Sequence, residues 1–189
     1  MKRVVGLDLS LQCTGIGVIT QRVGRPCIAS AATVTSKGKR AASLIDRHAR
    51  LTELGADVVH HAATAELAVV EGPFVGGTKG GSPIDRMALF WFVVGALIRR
   101  EVPVAVIAPM SLKLAIAGKG NADKATLAVA LTRLWPDVDV TSSDVSDAVG
   151  LAHLGAVYLG WDVVTLERHR SVKAEWPIFP DPTAKGEVA

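Results

Sequence analysis

Four acidic residues have the types and placements that could do chemistry. Asp8 ends an apolar run that contains Val4, Val5 and Leu7, and Glu71 ends another, Leu67–Val70. A carboxylate that terminates a buried strand is costly unless its charge is compensated, because an unpaired buried acid is driven toward protonation. If the two strands are neighbours in a sheet, both acids emerge at the same carboxyl edge, where α/β sheets place their sites. Asp144 and Asp147 lie three residues apart, which puts them on one helix face, where they repel. A divalent cation with hard oxygen ligands, Mg²⁺ or Mn²⁺, answers all four at once. Singly, each has a structural explanation: Asp144 suits a first helical turn after Ser142 and Ser143, Asp8 suits a turn, and Glu71 could pair with a base. Together, two at strand ends and two on one helix face, they favour a metal centre.

The elements that must position these acids follow from periodicity. Arg3–Ser10, Gly15–Gln21 and Arg25–Val34 are β-rich runs divided by short turns, which predicts a three-stranded antiparallel meander. Ala41–Ala63 carries Leu44, Ile45, His48, Leu51, Leu54 and Val58 at helical spacing. Leu67–Val70 reads as a buried parallel strand, followed by a glycine-rich loop, helix Ile84–Glu101 and strand Val104–Ala108. Helices Ser111–Ala117, Asp123–Trp135 and Ser143–Leu159 complete the series. The expected fold is α/β: a mixed five-stranded sheet, three strands antiparallel and then parallel ones, with helices on both faces. Pro177, Pro180 and Pro182 with mixed charges predict a loosely ordered tail over 162–189, leaving one domain over 1–161.

Composition narrows the setting. The 189 residues are 49% hydrophobic and 21% charged, which excludes a disordered chain. The net charge of +3 hides a basic middle, where residues 72–135 hold 8 basic groups against 3 acidic ones. That block points to a polyanionic partner. Two cysteines, Cys13 and Cys27, are too few for a disulfide framework or a structural zinc site. The start, Met1-Lys2-Arg3-Val4-Val5, moves straight into a strand with no signal-peptide pattern, and the 12 apolar residues Met87–Ile98 fall short of a membrane span. The expected setting is the reducing cytoplasm, without membrane contact. Met87–Ile98 is apolar around its whole circumference, which predicts that a second copy covers part of it.

Gly6-Leu7-Asp8-Leu9-Ser10 followed by Thr14-Gly15-Ile16-Gly17-Val18-Ile19 resembles the first motif of RuvC-type Holliday junction resolvases, in the ribonuclease H-like superfamily. Glu71-Gly72-Pro73-Phe74 resembles their second acid with an aromatic residue three positions on. Ser111-Leu112-Lys113 through Gly118-Lys119-Gly120-Asn121-Ala122-Asp123-Lys124 resembles the basic signature, with Lys113 and Lys124 eleven apart. Asp144-Val145-Ser146-Asp147-Ala148 resembles the closing acidic pair, so the match runs from residue 3 to about 160. Leu9-Ser10 stands where the family usually has Pro-Gly, and Ile16 where an aromatic residue is common, which marks a divergent, phage-type branch.

The resemblance implies metal-dependent hydrolysis of DNA phosphodiesters in Holliday junctions or related branched DNA, by paired nicks that leave 5′-phosphate ends, carried out by a homodimer. Asp8, Glu71, Asp144 and Asp147 would hold two Mg²⁺ ions, with Mn²⁺ able to substitute, and Lys113 and Lys124 would assist at the scissile phosphate. Phe74 would wedge against or stack on a base. Lys37, Lys39, Arg40, Lys79, Arg86 and Lys119, with Arg47 and Arg50, would track backbone phosphates. Gly72–Gly77 before Thr78-Lys79 imitates a P-loop, but its order is Gly-Thr-Lys rather than Gly-Lys-Thr. His60, His61, His153 and His169 show no metal-ligand spacing and read as core or surface residues. Two other functions fit parts of the pattern. A nucleotide-binding protein of the actin and sugar-kinase type needs a second comparable domain, for which the chain is too short. A junction-binding protein without catalysis would not need all four acids.

Overall fold

The structure is a computed structural model that describes residues 1–73, 82–140 and 143–177. Its centre is a six-stranded sheet in the order β3-β2-β1-β4-β5-β6. Strands β1 (Lys2–Asp8), β2 (Cys13–Arg22) and β3 (Arg25–Thr35) form the antiparallel meander. Strands β4 (Leu67–Glu71) and β5 (Val104–Ile107) add in parallel, and β6 (Ala174–Glu175) closes the edge antiparallel to β5. The mixed α/β architecture expected from sequence is present, with one strand more. β6 is two residues long, and Ala-Glu carries no periodicity; the unpaired edge of β5 recruits it.

The central strands β1 and β4 are buried on both faces, which explains their unbroken apolar runs, while β3 at the edge is largely exposed. Alternation along β1 sends Val5 and Leu7 to one core and Val4 to the other. The first core lies under α1 (Leu44–Ala62) and α2 (Pro83–Ile98). The second lies under α3 (Pro109–Ala117), α4 (Lys124–Leu134) and α5 (Ser143–Tyr158). Ser43 starts α1 as a capping box with Asp46, so the helix begins three residues later than its periodicity suggested. Leu44 and Ile45 there are 78% and 82% exposed, and the inward face begins only near Leu54.

α5 crosses β1, β2 and β4 at close range. The face it presents is small: Ala148, Ala152 and Ala156 are fully buried at four-residue spacing. Glycines of the sheet make room from the other side. A Cβ on Gly15 would stand 1.9 Å from the Asp144 carbonyl oxygen, and one on Gly6 would stand 2.0 Å from that of Ala148. The first turn of α5 is therefore held directly over the carboxyl end of β1.

The chain beyond Trp161 is packed, not loose, as far as it is described. A one-turn helix, α6 (Glu167–Arg170), buries His169 to 1% exposure. Trp176 stacks on Tyr158 with ring centroids 4.2 Å apart, and the Tyr158 hydroxyl donates to the Pro177 carbonyl at 2.9 Å. These anchors are single side chains scattered among charges, which is why composition suggested a tail over 162–189. Among the described residues no helix is long and apolar enough to cross a membrane.

Candidate active site

β1 and β4 are parallel neighbours with Leu7 opposite Val70, so one step further Asp8 and Glu71 leave the sheet side by side. The Asp8 and Glu71 carboxyls are hydrogen-bonded to each other. The turn after Asp8 is clipped by Thr14, a fully buried hydroxyl that donates to the Ser10 carbonyl at 3.0 Å and accepts from the Ser10 amide at 3.1 Å. α5, seated on Gly15, brings Asp144 and Asp147 to the same edge, where both repel Asp8. The four acids, separated by up to 139 positions in the chain, share one pocket of negative charge.

The electrostatics are those of carboxylates held together against their preference. Burial is the main force on Asp8, which is pushed upward, and the charges of Asp147 and Asp144 add to it. Burial and then the neighbouring Asp8 push Glu71 upward as well. The shared hydrogen bond places the proton on Glu71, which donates to the Asp8 carboxylate. Asp147 rises to about 6 through burial, against the pull of Lys113 and Lys124.

Lys113 on α3 and Lys124, the first residue of α4, thus lie close enough for their charges to act on the acids. Asp123 caps α4 by accepting from the Thr126 amide at 2.8 Å. Arg86 shares a cleft of about 230 Å³ with Glu71, Leu9, Ser10, Gly72, Pro73 and Phe90. Lys119 is exposed between α3 and α4, and Lys37, Lys39 and Arg40 are exposed after β3. Phe74 and Lys79 lie outside the described residues.

Two arginines assigned to phosphate tracking have other work. Arg47 forks onto the Asp85 carboxylate and ties α1 to α2. Arg50 donates to the Ser36 hydroxyl at 2.9 Å and to the carbonyls of Leu11 and Ser36. Cys13 is a neighbour that sequence reading passed over. Its thiol is hydrogen-bonded to Asp144, and burial followed by that carboxylate pushes it upward. Its place on β2 two residues before Gly15, the partner of Asp8, was the available signal.

The acids suit a hard divalent cation by donor chemistry. Asp147 Oδ1 is buried with no hydrogen-bond partner, and Asp8 and Glu71 are reduced to partnering each other. Among the described residues no three metal-binding side chains already close on one point, so the fit is one of charge and donor type.

A pH dependence follows for the metal-free protein. Between the ordinary 3.8 and about 6, folded Asp147 keeps a proton that the unfolded chain has released. The folded state then binds more protons, so stability is fully present below that window and falls as pH rises through it. The raised Asp8–Glu71 pair extends the fall to higher pH. In EDTA, wild-type Tm measured relative to Asp147→Asn should decline from about pH 4 to about pH 6, the window of Asp147 itself, since both proteins keep the Asp8–Glu71 pair. A flat or rising difference contradicts the buried cluster.

A carboxylate cluster at the carboxyl edge of a sheet that begins as an antiparallel meander is the arrangement expected of a nuclease of ribonuclease H-like fold. The comparisons make this specific. Residues 4–154 match the profile of the family described as crossover junction endodeoxyribonuclease RuvC. The Rhizobium rhizogenes protein of that name is 31% identical over 151 residues, covering 79% of this chain and 86% of the relative. The Cupriavidus taiwanensis one is 29% identical over 150 residues, covering 79% and 81%. The structure of Thermus thermophilus RuvC in complex with Holliday junction substrate superposes with a TM-score of 0.67 at 22% identity, over 84% of this chain and 95% of that one. The chain belongs to the RuvC family.

Proposed function

We propose that the protein resolves Holliday junctions, or closely related branched DNA, by paired nicks that leave 5′-phosphate ends. It works as a homodimer with Mg²⁺, two ions in each site and Mn²⁺ able to replace it, in the cytoplasm of a bacterial cell or a phage-infected bacterium. The reading rests on one observation: Asp8, Glu71, Asp144 and Asp147 converge at one sheet edge with the charges of Lys113 and Lys124 acting on them. The acids and lysines of the nuclease site all lie within residues 1–161, and residues 162–177 pack against that unit.

The four carboxylates would hold the ions, with Asp8 in contact with the field of all three others. When bound, divalent ions supply Lewis acidity at the phosphate and lower the pKa of coordinated water. Lys113, beside Glu71 and Asp147, places an ammonium where charge builds on the scissile phosphate. Lys124 adds its charge to the free N–H groups of the α4 N-terminus, which already favour phosphate. Arg86, Lys119, Lys37, Lys39, Arg40 and Lys79 follow the DNA backbone, and Phe74 wedges against or stacks on a base. Metal-dependent cutting of a fixed four-way junction over linear duplex, abolished by EDTA, tests the whole. Binding without cleavage in Mg²⁺ and Mn²⁺ overturns it in favour of a non-catalytic junction binder.

Lys124→Ala should slow single-turnover cleavage roughly 10- to 100-fold, the cost of one charge aimed at the transition state, while Tm stays near that of wild type. An unchanged rate removes Lys124 from the site.

The dimer follows from α2. Ile84, Trp91 and Ile98 are 75%, 63% and 59% exposed and recur every seven residues, forming one apolar stripe. A second copy on a two-fold axis covers it and supplies the second site that two symmetric cuts require.

A further inference from the structure

We propose that residues 162–177 form a strap that fixes α3, and with it Lys113, against the acidic cluster, and that Arg168 is a positioning residue for strand cleavage. The proposal rests on the reading of Lys113 as part of the cleavage site. The strap lies wholly beyond residues 4–154, the part of the chain that the RuvC profile matches.

α3 has nine residues, and no side chain caps its N-terminus. A helix that short holds its position by what grips it, not by its own propensity. The strap grips both ends. At the C-terminal end, Arg168 Nε donates to the Ala115 carbonyl at 2.8 Å and Nη2 donates to that of Ile116 at 3.2 Å. A guanidinium there satisfies carbonyls left without intrahelical partners and meets the negative end of the helix dipole. At the other end, β5 leads into α3 through Ala108 alone, and its Val106 and Ile107 pair with Glu175 and Ala174 of β6. Lys113 lies between the two grips, and the carbonyls held by Arg168 are only two and three residues beyond it.

The same strap is bolted to α5, the helix that carries Asp144 and Asp147. His169 sits fully inside the protein with its Nδ1 at 3.1 Å from Nε2 of the equally buried His153. Nδ1 of His169 also accepts from the Leu166 amide at 3.3 Å, so the bridging proton belongs to His153, which donates. Five residues further along α5, Tyr158 stacks on Trp176. One segment therefore joins the helix that supplies the lysine to the helix that supplies two of the acids. Displacing a charged group by an ångström at a phosphoryl centre is enough to cost one to two orders of magnitude in rate.

The test uses the full chain. Arg168 is exposed, so Arg168→Ala keeps the core intact. It should lower the single-turnover cleavage rate on a four-way junction about tenfold, with Kd for the junction in EDTA changed less than about twofold. Amide exchange in the last turn of α3 should speed up while α5 stays protected. Arg168→Lys, which keeps a donor and the charge, should recover most of the rate, and Arg168→Ala/Lys113→Ala should be no slower than Lys113→Ala alone. A full rate in Arg168→Ala beside a slow Lys113→Ala overturns the strap and leaves the cleavage site standing. A loss explained by weaker junction binding, or rate losses in the two variants that multiply, makes Arg168 a DNA contact and equally overturns it. A full rate in Lys113→Ala removes Lys113 from the site, and the proposal falls with it.

Discussion

Asp8→Asn should abolish cleavage and at the same time make the metal-free protein more stable. Asp8 is the carboxylate that touches the field of Glu71, Asp144 and Asp147 alike, so its charge is the one most ions in the cluster would share. Replacing it with a neutral amide of the same shape removes a hard ligand while keeping the turn clipped by Thr14. A thousand-fold fall in single-turnover rate, or more, corresponds to roughly 4 kcal/mol of lost transition-state stabilisation, the scale expected for an acid that would hold the metal. Junction affinity should hold or improve, because the change removes negative charge facing a polyanion. The stability gain has a separate cause: burial makes the Asp8 charge expensive, so above neutral pH the amide relieves a cost that wild type carries until a cation arrives. Thermal unfolding in EDTA at about pH 8 should show the higher Tm, and adding Mg²⁺ should stabilise wild type more than the variant. A variant that cuts within tenfold of wild type, or that melts lower in EDTA, would show that Asp8 is not the centre of the site.

How much of this was legible in the chain depends on whether a feature is local. Asp8 and Glu71 each close an apolar run, a signal that needs only a few neighbouring residues, and the parallel pairing of β1 with β4 turned two local signals into adjacency. The three-residue spacing of Asp144 and Asp147 was equally local. Their arrival over Asp8 was carried by Gly6 and Gly15, whose meaning is the missing Cβ that lets α5 approach. Features made by long-range partnership were hidden. Leu44 and Ile45 continue the helical period of α1 yet face solvent, since periodicity marks a face but not whether anything covers it. Arg47 and Arg50 looked like the other basic residues of their region until Asp85, Ser36 and Leu11 claimed them. His153 and His169 are 16 residues apart on different helices, with no spacing rule to join them. β6 is a strand only because β5 offers it an edge.

The exposed stripe of α2 carries the second large effect. Trp91→Glu should convert the dimer to monomer at concentrations where wild type is fully paired, and so convert paired nicking into single nicking. Trp91 is 63% exposed in the isolated chain and contacts Phe90 edge-on, so its removal costs the fold little. In a two-fold interface the same change occurs twice. At roughly 2 kcal/mol for each buried aromatic anchor, the pair amounts to about 4 kcal/mol, a thousand-fold rise in the dimer dissociation constant. Burying two carboxylates face to face in place of the indoles adds to the loss. Sedimentation velocity reads the first consequence, and a circularised junction that reports one cut or two reads the second. A monomeric Trp91→Glu that still makes both cuts within one binding event would refute the two-site model. A dimer that survives the substitution would move the interface off the stripe of Ile84, Trp91 and Ile98, and would leave that apolar face in need of another partner.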